Sequence, residues 1–567
     1  MTIRLTALGS ALGFCLSLAA PAAATEVAVP AGAYVAARQA LMESNFPAAA
    51  RYLTEALAAD PENPALLENA IVARVAMGAS AEALPLAERL EALGGGNQIV
   101  ALVIMAEAAA AGRFDAILAR YEAGVAVSPL IDGLLRAWAL AGAGRMSDAL
   151  AAFDTVSKDE PLRALAGYHK ALALALAGDL EAAADGFAAL GPDGGGLGRS
   201  ALRAEVQALS QLERSAAAIA RIEQVLDGSS DPEFDRLRAR IETGEILPFD
   251  EVSGASEGIG LVLFALAGAL QGEVADANVL LYARLAQRLH PHDVDILLQV
   301  ADLLGRLGQH ELSAAAFEQV PPEHPMSYNA ELGRADALFA LDKPDAGIEV
   351  LKSLARKHPD ILGVQIALGD ALRRLERYEE AAPVYDAAIT LVDRVTPRHW
   401  SLFYTRGIAR ERIGDWEGAE ADFRRALELS PEQPLVLNYL GYSLVERREK
   451  LDEAQRMIET AVAARPDDGF ITDSLGWVLY RLGKYDEAVA PMERAVELEP
   501  TDPVINDHLG DVYWMVGRQR EARFQWQRAL SFEPEPAEAA RIRRKIEAGL
   551  DAVLAEEEAK TQSRNAN

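Results

Sequence analysis

Small and apolar residues recur along the C-terminal half of the chain with a constant period. The dipeptides Leu440-Gly441, Leu475-Gly476 and Leu509-Gly510 are 34 or 35 residues apart. A helix takes about 3.6 residues per turn, so this interval has room for two helices and the turns that join them. The period therefore predicts a succession of helix pairs, each with a glycine in its first helix.

The residues between successive glycines repeat as well. After Gly476 come a glycine, two alanines, two large residues and a proline at fixed offsets. They are Gly483, Tyr485, Ala488, Met492, Ala495 and Pro500. Matching sets follow Gly407 and Gly510. Small residues let two helices approach closely, a left-handed glycine ends the first helix, and a proline stops the second. A second proline can then open the next helix, as in the pairs Pro61 with Pro64, Pro431 with Pro434 and Pro500 with Pro503.

The same spacing can be followed towards the N-terminus, where the pattern is more degenerate. It places the corresponding position of each earlier first helix at Ala37, Ile71, Met105, Ala137, Ala171, Val206, Ala265, Ala301, Gly333 and Gly369. Together with the C-terminal repeats, this predicts about fourteen helix pairs. The predicted fold is an all-α solenoid, with a degenerate N-terminal part over 25–227 and a C-terminal part over 259–534.

The register of the repeat breaks between these two parts. Residues 227–232 and 254–256 are rich in Gly, Ser, Asp and Pro, which favour turns. We expect a joint over 228–258, within which 233–243 can form a helix of its own. The segment 535–567 is predicted to be a capping helix and tail. In that segment, 537–560 reads as one charged helix whose apolar face carries Ile542, Ile546, Leu550 and Leu554.

The first 24 residues have the pattern of a secretory signal. Arg4 precedes an apolar stretch over 5–20, which ends in Pro21 and three alanines. We expect a signal peptide over 1–24, and no later window reaches the roughly 18 apolar residues of a membrane span. The single cysteine, Cys15, falls inside that signal. Phe14 precedes it where a bacterial lipoprotein signal has a small residue, so an outer-membrane lipoprotein is the less favoured alternative.

The charge balance narrows the classes of partner. The chain has 55 Lys and Arg against 85 Asp and Glu, a formal charge of -30. Such a charge repels nucleic-acid phosphates and anionic headgroups, so we expect no nucleic-acid partner. An acidic surface keeps a long solenoid soluble, and it can alternatively attract basic partners.

The sequence has no recognisable catalytic or metal-binding pattern. The triple glycines at 94–96 and 194–196 lack the following Lys-Ser/Thr of a phosphate-binding loop. His290 and His292 are the only close histidine pair, and a helix end is the favoured interpretation there. His508 lies among acidic residues, without a hydroxyl or thiol partner. We expect no enzymatic activity, no cofactor and no metal.

The repeat pattern resembles the tetratricopeptide repeat family, most specifically over 400–530. This resemblance implies a right-handed superhelical solenoid that binds proteins or peptide segments. The runs 438–444, 473–483 and 508–514 are also similar to the ends of long proteobacterial envelope proteins of that family. Among these is the lipoprotein partner of the carboxyl-terminal processing protease. The narrower resemblance implies a periplasmic adaptor that presents cell-wall hydrolases to a protease; the alternative is a component of an envelope polysaccharide or pilus export machine.

First helices line the concave side of such a solenoid, so their exposed positions are candidate contact residues. The candidates in the last complete repeats are Asn438, Tyr442, Asp473, Trp477, Tyr480, Asp507, Asp511 and Trp514, with Val445 at a matching position. An amide can pair with a peptide backbone, and large aromatics can bury apolar side chains of a partner. The alternatives are that the tryptophans pack between repeats and that the carboxylates are ordinary solvated charges.

Overall fold

The computed structural model describes residues 31–191, 198–227 and 231–565. The predicted signal peptide lies outside the described residues. In the described part, helices follow one another along the whole chain, and none of them is both long and apolar enough to cross a membrane. The predicted all-α fold is confirmed. The described residues form two compact units, which divide between Val350 and Leu351.

The helices of the first unit are α1 (Ala31–Met42), α2 (Phe46–Ala59), α3 (Pro64–Ala76), α4 (Ser80–Ala92), α5 (Gln98–Ala110), α6 (Phe114–Glu122), α7 (Asp132–Gly142), α8 (Met146–Val156), α9 (Arg163–Leu176), α10 (Leu180–Ala188), α11 (Gly198–Gln211), α12 (Ser215–Leu226), α13 (Pro232–Glu242), α14 (Ala255–Leu270), α15 (Asp276–Leu289), α16 (Val294–Arg306), α17 (His310–Phe317), α18 (Ser327–Ala340) and the start of α19 (Pro344–Lys357).

The helices of the second unit, after the end of α19, are α20 (Leu362–Arg374), α21 (Tyr378–Thr390), α22 (Trp400–Arg412), α23 (Trp416–Leu429), α24 (Pro434–Glu446), α25 (Leu451–Ala464), α26 (Gly469–Arg481), α27 (Tyr485–Leu498), α28 (Pro503–Met515), α29 (Gln519–Ser531), α30 (Pro536–Ala548) and α31 (Leu550–Asn565).

Consecutive helices pair as the period predicts. Among the described residues, α1–α12 form six pairs and α14–α29 form eight, which agrees with the expected number. Every residue predicted to occupy the small or central position lies in the first helix of its pair. Pro64, Pro434 and Pro503 open first helices, and Gly483 has a φ of 75° between α26 and α27.

Close approach within a pair explains the recurring glycine. A β-carbon at Gly407 would lie 2.7 Å from the Phe423 ring, and one at Gly510 would lie 2.4 Å from the Trp526 ring. Both distances are shorter than carbon atoms tolerate, so a larger side chain at either position would force the facing ring or the backbone to shift. The bulky residue of the second helix fills the space that the glycine leaves on the first.

In the first unit, α14 and α15 pack against the first helices of much earlier pairs. They contact α3, α5, α7 and α9. The Arg284 guanidinium donates to the Ala76 carbonyl at 3.0 Å, and Arg288 forms two hydrogen bonds with the Glu107 carboxylate. The period alone does not predict this arrangement, because it describes contacts between neighbouring repeats.

The register break lies inside the first unit. Here α13 is followed by an irregular segment, 244–254, which we call the strap. The strap lies along α11, where the Leu247 amide donates to Ser210 and the Asp250 amide donates to Gln207. The joint predicted over 228–258 lies within the first unit, in which α14 and α15 also contact the N-terminal helices. The helix expected at 233–243 is present as α13.

The C-terminal segment differs from the single helix predicted over 537–560. Gly549 has a φ of 87°, a conformation that other residues rarely adopt, and it separates α30 from α31. The Leu550 side chain is buried beyond this turn. The segment therefore folds as two helices.

Candidate functional site

The eight candidate residues lie on three consecutive first helices of the second unit. Two are on α24, three are on α26 and three are on α28, and each of these helices contacts the next. The repeat therefore brings them to one surface, as the sequence predicts. Their surroundings are different from the exposed concave surface that the sequence predicts.

A charged hydrogen bond joins α26 to α28. The Asp473 carboxylate lies 3.0 Å from Nδ1 of His508, and both side chains are buried. Burial by itself would lower the pKa of His508, but the negative charges of Asp473, Asp507 and Asp511 raise it above its ordinary value. His508 is thus held towards its charged form by the acidic residues around it.

Trp477 is enclosed by its neighbours. Its ring stacks on the His508 imidazole with centroids 4.0 Å apart, and on the Tyr480 ring at 4.8 Å. The indole Nε1 donates to the Glu446 carboxylate at 2.7 Å. Trp477 is 8% exposed, so it contributes to the packing between repeats.

Asp507 and Asp511 bind a lysine of the same chain. The Lys545 ammonium on α30 lies 2.7 Å from Oδ2 of Asp507 and 2.6 Å from Oδ1 of Asp511. Trp526 donates to the same Asp511 oxygen at 2.9 Å. Lys545 has no exposed surface, and Asp511 is 1% exposed. The acidic candidates Asp507 and Asp511 are therefore occupied by a side chain of α30.

The charges of α30 extend across this surface. Arg541 lies 3.7 Å from Asp507, and its positive charge also lowers the pKa of Tyr480, which burial raises overall. Glu538, one turn earlier, contributes to the raised pKa of Tyr442, whose main cause is burial. The charges of α30 therefore act on tyrosines of both α24 and α26.

Trp514 is covered by the segment that follows α30. Its indole Nε1 donates to Asp551 at 3.0 Å, and its ring lies 5.4 Å from the Trp526 ring. A β-carbon at Gly549 would lie 2.5 Å from the Trp514 ring. The left-handed turn between α30 and α31 is thus seated on this tryptophan.

These contacts correct the expected exposure of the candidates. Asp473, Trp477, Asp507 and Asp511 are buried by contacts within the chain, and Val445 is buried as well. Asn438, Tyr442, Tyr480 and Trp514 are half-buried. The half-buried residues keep surface that a partner can reach. Partner binding by all eight stays a prediction.

Sequence reasoning missed Lys545, Arg541 and Glu446, which determine the electrostatics of this surface. Lysine is usually exposed to solvent, so the residue type gave no indication of a buried ion pair. A signal was nevertheless present, because Lys545 lies between Ile542 and Ile546 on the apolar stripe predicted for the capping helix. A cation in such a stripe indicates buried carboxylates opposite it.

Comparisons with known proteins support the repeat pattern. The family model described as Tetratricopeptide repeat matches residues 134–195 and, in overlapping stretches, 298–503. A TPR repeat-containing protein of Pseudomonas aeruginosa is 31% identical over 186 residues, which are 32% of this chain and 30% of that protein. Aspartyl/asparaginyl beta-hydroxylase of Mus musculus is 25% identical over 182 residues, which are 32% of this chain and 21% of that protein. The chain thus matches less than a third of either relative's length.

Solved structures match this chain with low identity and low TM-scores. The crystal structure of an APC/C hetero-tetramer matches with 14% identity and a TM-score of 0.37, over 92% of this chain and 96% of that chain. A tetratricopeptide repeat protein from Parabacteroides merdae matches with 16% identity and a TM-score of 0.37, over 44% of this chain and 96% of that chain. The repeats at 134–195 and 298–503 are tetratricopeptide repeats, and helix pairs of this kind act as protein–protein interaction scaffolds.

Proposed function

We propose that this chain is a non-catalytic scaffold of the bacterial periplasm that holds another protein by an extended segment. The secretory pattern of residues 1–24 supports the location. The repeats support the scaffold role, because helix pairs present a large continuous surface. The finer role proposed is that of an adaptor that presents cell-wall hydrolases to a carboxyl-terminal processing protease, and the similarity of 438–514 to envelope proteins of this kind supports it.

Asn438 provides the observation that carries the proposal. Its side chain is half-buried on α24, and its Oδ1 atom is buried without a hydrogen-bond partner among the described residues. A buried acceptor without a donor is unfavourable, at about 1–3 kcal/mol. Rotation of the amide would bring this oxygen to the exposed side of the half-buried residue, where a backbone N–H of an extended partner segment would supply that donor. Tyr442, one turn further along α24, is half-buried and can contact an apolar side chain of the same segment.

The test compares two amide-to-alanine variants of the mature chain, residues 25–567. Asn438→Ala removes the amide from α24, and Gln455→Ala removes an amide that is also half-buried from the second helix α25 as a matched control. Each protein is immobilised and exposed to periplasmic extract, and captured proteins are identified by mass spectrometry. Affinity for the purified partner is then measured by calorimetry.

We expect native chain and Gln455→Ala to capture the same protease or hydrolase. Asn438→Ala should bind it at least about tenfold more weakly, which corresponds to about 1.4 kcal/mol. The thermal stability of Asn438→Ala should not fall, since the variant removes an unpaired acceptor. Equal affinity of all three proteins would contradict the proposed contact. Capture of a polysaccharide synthase or pilus component would replace the protease-adaptor role with the export-machine role.

A further inference from the structure

A cavity of about 640 Å³ lies in the first unit where the repeat register breaks. Its wall is formed by α11, α13, the strap, the start of α14 and the turns before α16 and α18. An unbroken stack of helix pairs leaves no such space, because each pair packs directly on the next. The cavity therefore exists because the chain leaves the repeat here.

Arg203 on α11 is fully engaged at the base of the cavity. Its guanidinium forms two hydrogen bonds with Glu251 of the strap, at 2.6 and 3.1 Å. It also donates to Glu233 at 3.2 Å and to Asp295 at 3.0 Å. Arg203 thus serves three carboxylates, of which Glu233 also accepts from Arg199. The wall as a whole has six carboxyl side chains against three arginines.

The other two arginines of the wall are engaged as well. Arg236 donates to the backbone carbonyl of Glu323 at 2.6 Å, and Arg240 donates to the Glu245 carboxylate at 2.9 Å. Each of the three arginines of the wall therefore has at least one acceptor within the chain.

Some acceptor atoms of the wall, in contrast, have no hydrogen-bond donor, although Glu257 already accepts from the Ser253 amide through Oε2. The His290 side chain lines the cavity and is 8% exposed as a residue, yet neither ring nitrogen makes a hydrogen bond with a described residue. Nε2 lies 3.8 Å from Glu257, and Nδ1 lies 3.7 Å from Oδ2 of Asp293, both beyond hydrogen-bond distance. Asp293 uses its Oδ1 atom to cap α16 through the Ile296 amide, while its Oδ2 atom accepts no hydrogen bond.

Two buried carboxyls of this region, Glu251 and Asp293, have raised pKa values. Burial raises the pKa of Glu251 to about 7 against the opposing charge of Arg203. Burial also raises the pKa of Asp293. A carboxyl in this condition gains stability from an additional nearby cation, which favours its charged form.

From the free acceptors and the excess of carboxylates, we infer that the cavity binds an ammonium or guanidinium group carried on a flexible chain. Glu257, Asp293 and His290 accept its hydrogen bonds, and charge-assisted bonds of this kind are the strongest that side chains form. The cavity is much larger than one such group, so it also accommodates the chain that bears it. Two sources share this chemistry, a lysine or arginine side chain of a protein partner and a free polyamine.

Calorimetry with the whole mature chain tests the inference. The probes are Ac-Gly-Lys-Gly-NH₂, Ac-Gly-Arg-Gly-NH₂, spermidine, and Ac-Gly-norleucine-Gly-NH₂, which keeps the lysine chain without its charge. The double variant Glu257→Gln, Asp293→Asn removes two charges from the cavity, and an asparagine can still cap α16. Asp302→Asn removes a charge from an exposed position of the same helix as the matched control.

We expect saturable binding of a cationic probe, no binding of the norleucine peptide, and at least about tenfold weaker binding by the double variant. Asp302→Asn should bind like the native chain. Binding of the lysine or arginine peptide identifies a protein side chain as the source, and binding of spermidine alone identifies a polyamine. Binding of no cationic probe at millimolar concentration would overturn the inference, and so would equal affinity of the folded double variant, judged by circular dichroism.

Discussion

The Lys545 ammonium lies 2.6 Å from Oδ1 of Asp511, and neither side chain has more than 1% of its surface exposed. The ion pair joins α30 to α28, and Asp507 completes it from the preceding turn of α28. An ion pair at this depth is expensive to break, because the partner that remains is a buried charge without compensation.

Replacement of Lys545 by methionine should therefore destabilise the second unit by about 3–5 kcal/mol. Five of the six tryptophans lie in this unit, so urea unfolding followed by tryptophan fluorescence reports on it. The triple variant Lys545→Met, Asp507→Asn, Asp511→Asn should recover most of the loss, because it leaves no unpaired charge. A loss that persists in the triple variant would show that the lysine acts through packing instead.

Mild acid should weaken the first unit through His169. Burial lowers the pKa of this histidine to about 3, and it accepts a hydrogen bond from Trp138 at 3.1 Å. Because the folded-state pKa lies below the unfolded value near 6.5, the stabilisation is fully present above pH 6.5 and is lost as pH falls towards 3. We expect a loss of about 2 kcal/mol between pH 7.5 and pH 5.

Native-state hydrogen exchange of peptides from α9 measures this effect. His169→Gln keeps an acceptor for Trp138 and cannot take up the proton, so its exchange free energy should change less over the same range. Identical pH dependence in the two proteins would contradict a role of His169.

The second unit should respond to pH in the opposite direction through His508. Its folded-state pKa is raised, mainly by Asp473 against the effect of burial. The stabilisation is then fully present below pH 6.5 and is lost as pH rises through the folded-state value. Hydrogen exchange of α28 should accelerate in that range beyond the intrinsic pH dependence, and Asp473→Asn should remove the excess. An unchanged excess in Asp473→Asn would refute the pairing.

The close approach of α28 and α29 predicts a large effect of a small substitution. Gly510→Ala would place a carbon 2.4 Å from Trp526, and we expect a loss of about 1–3 kcal/mol from overpacking. Gly363→Ala in α20 is the matched control, because no atom lies within 4 Å of the added carbon. It should stabilise by about 0.4–1 kcal/mol. Urea unfolding measures the free energy of unfolding of both variants. Equal changes would mean that the distance between α28 and α29 does not restrict the side chain at position 510.

Sequence reasoning predicted the helix pairs because each repeat states its own packing requirement. Gly407 and Gly510 indicate where two helices approach, and Pro434 and Pro503 indicate where a first helix begins. The period carries information about neighbours only. It could not reveal that α14 packs on α7, since an apolar first helix within a solenoid has the same residue pattern.

The candidate surface was predicted in part for a related reason. The period placed Asp473, Trp477 and Asp511 correctly on successive first helices, but it did not identify what lies against them. Lys545 and Arg541 come from a segment after the last repeat, where no period relates them to the carboxylates. Only the path of α30 brings these charges together.

The packing of α15 on early helices also affects how the first unit reaches its folded state. Arg284 and Ala76 are 208 residues apart in sequence, and Arg288 and Glu107 are 181 apart. A plain repeat array can fold from any point by adding neighbours, whereas contacts of such separation slow folding because a long loop must close first. During synthesis, the first helices of the early pairs therefore keep apolar surface exposed until the whole of α15, which ends at Leu289, has left the ribosome. The first unit is in this sense expected to fold cooperatively as a whole, although it consists of repeats.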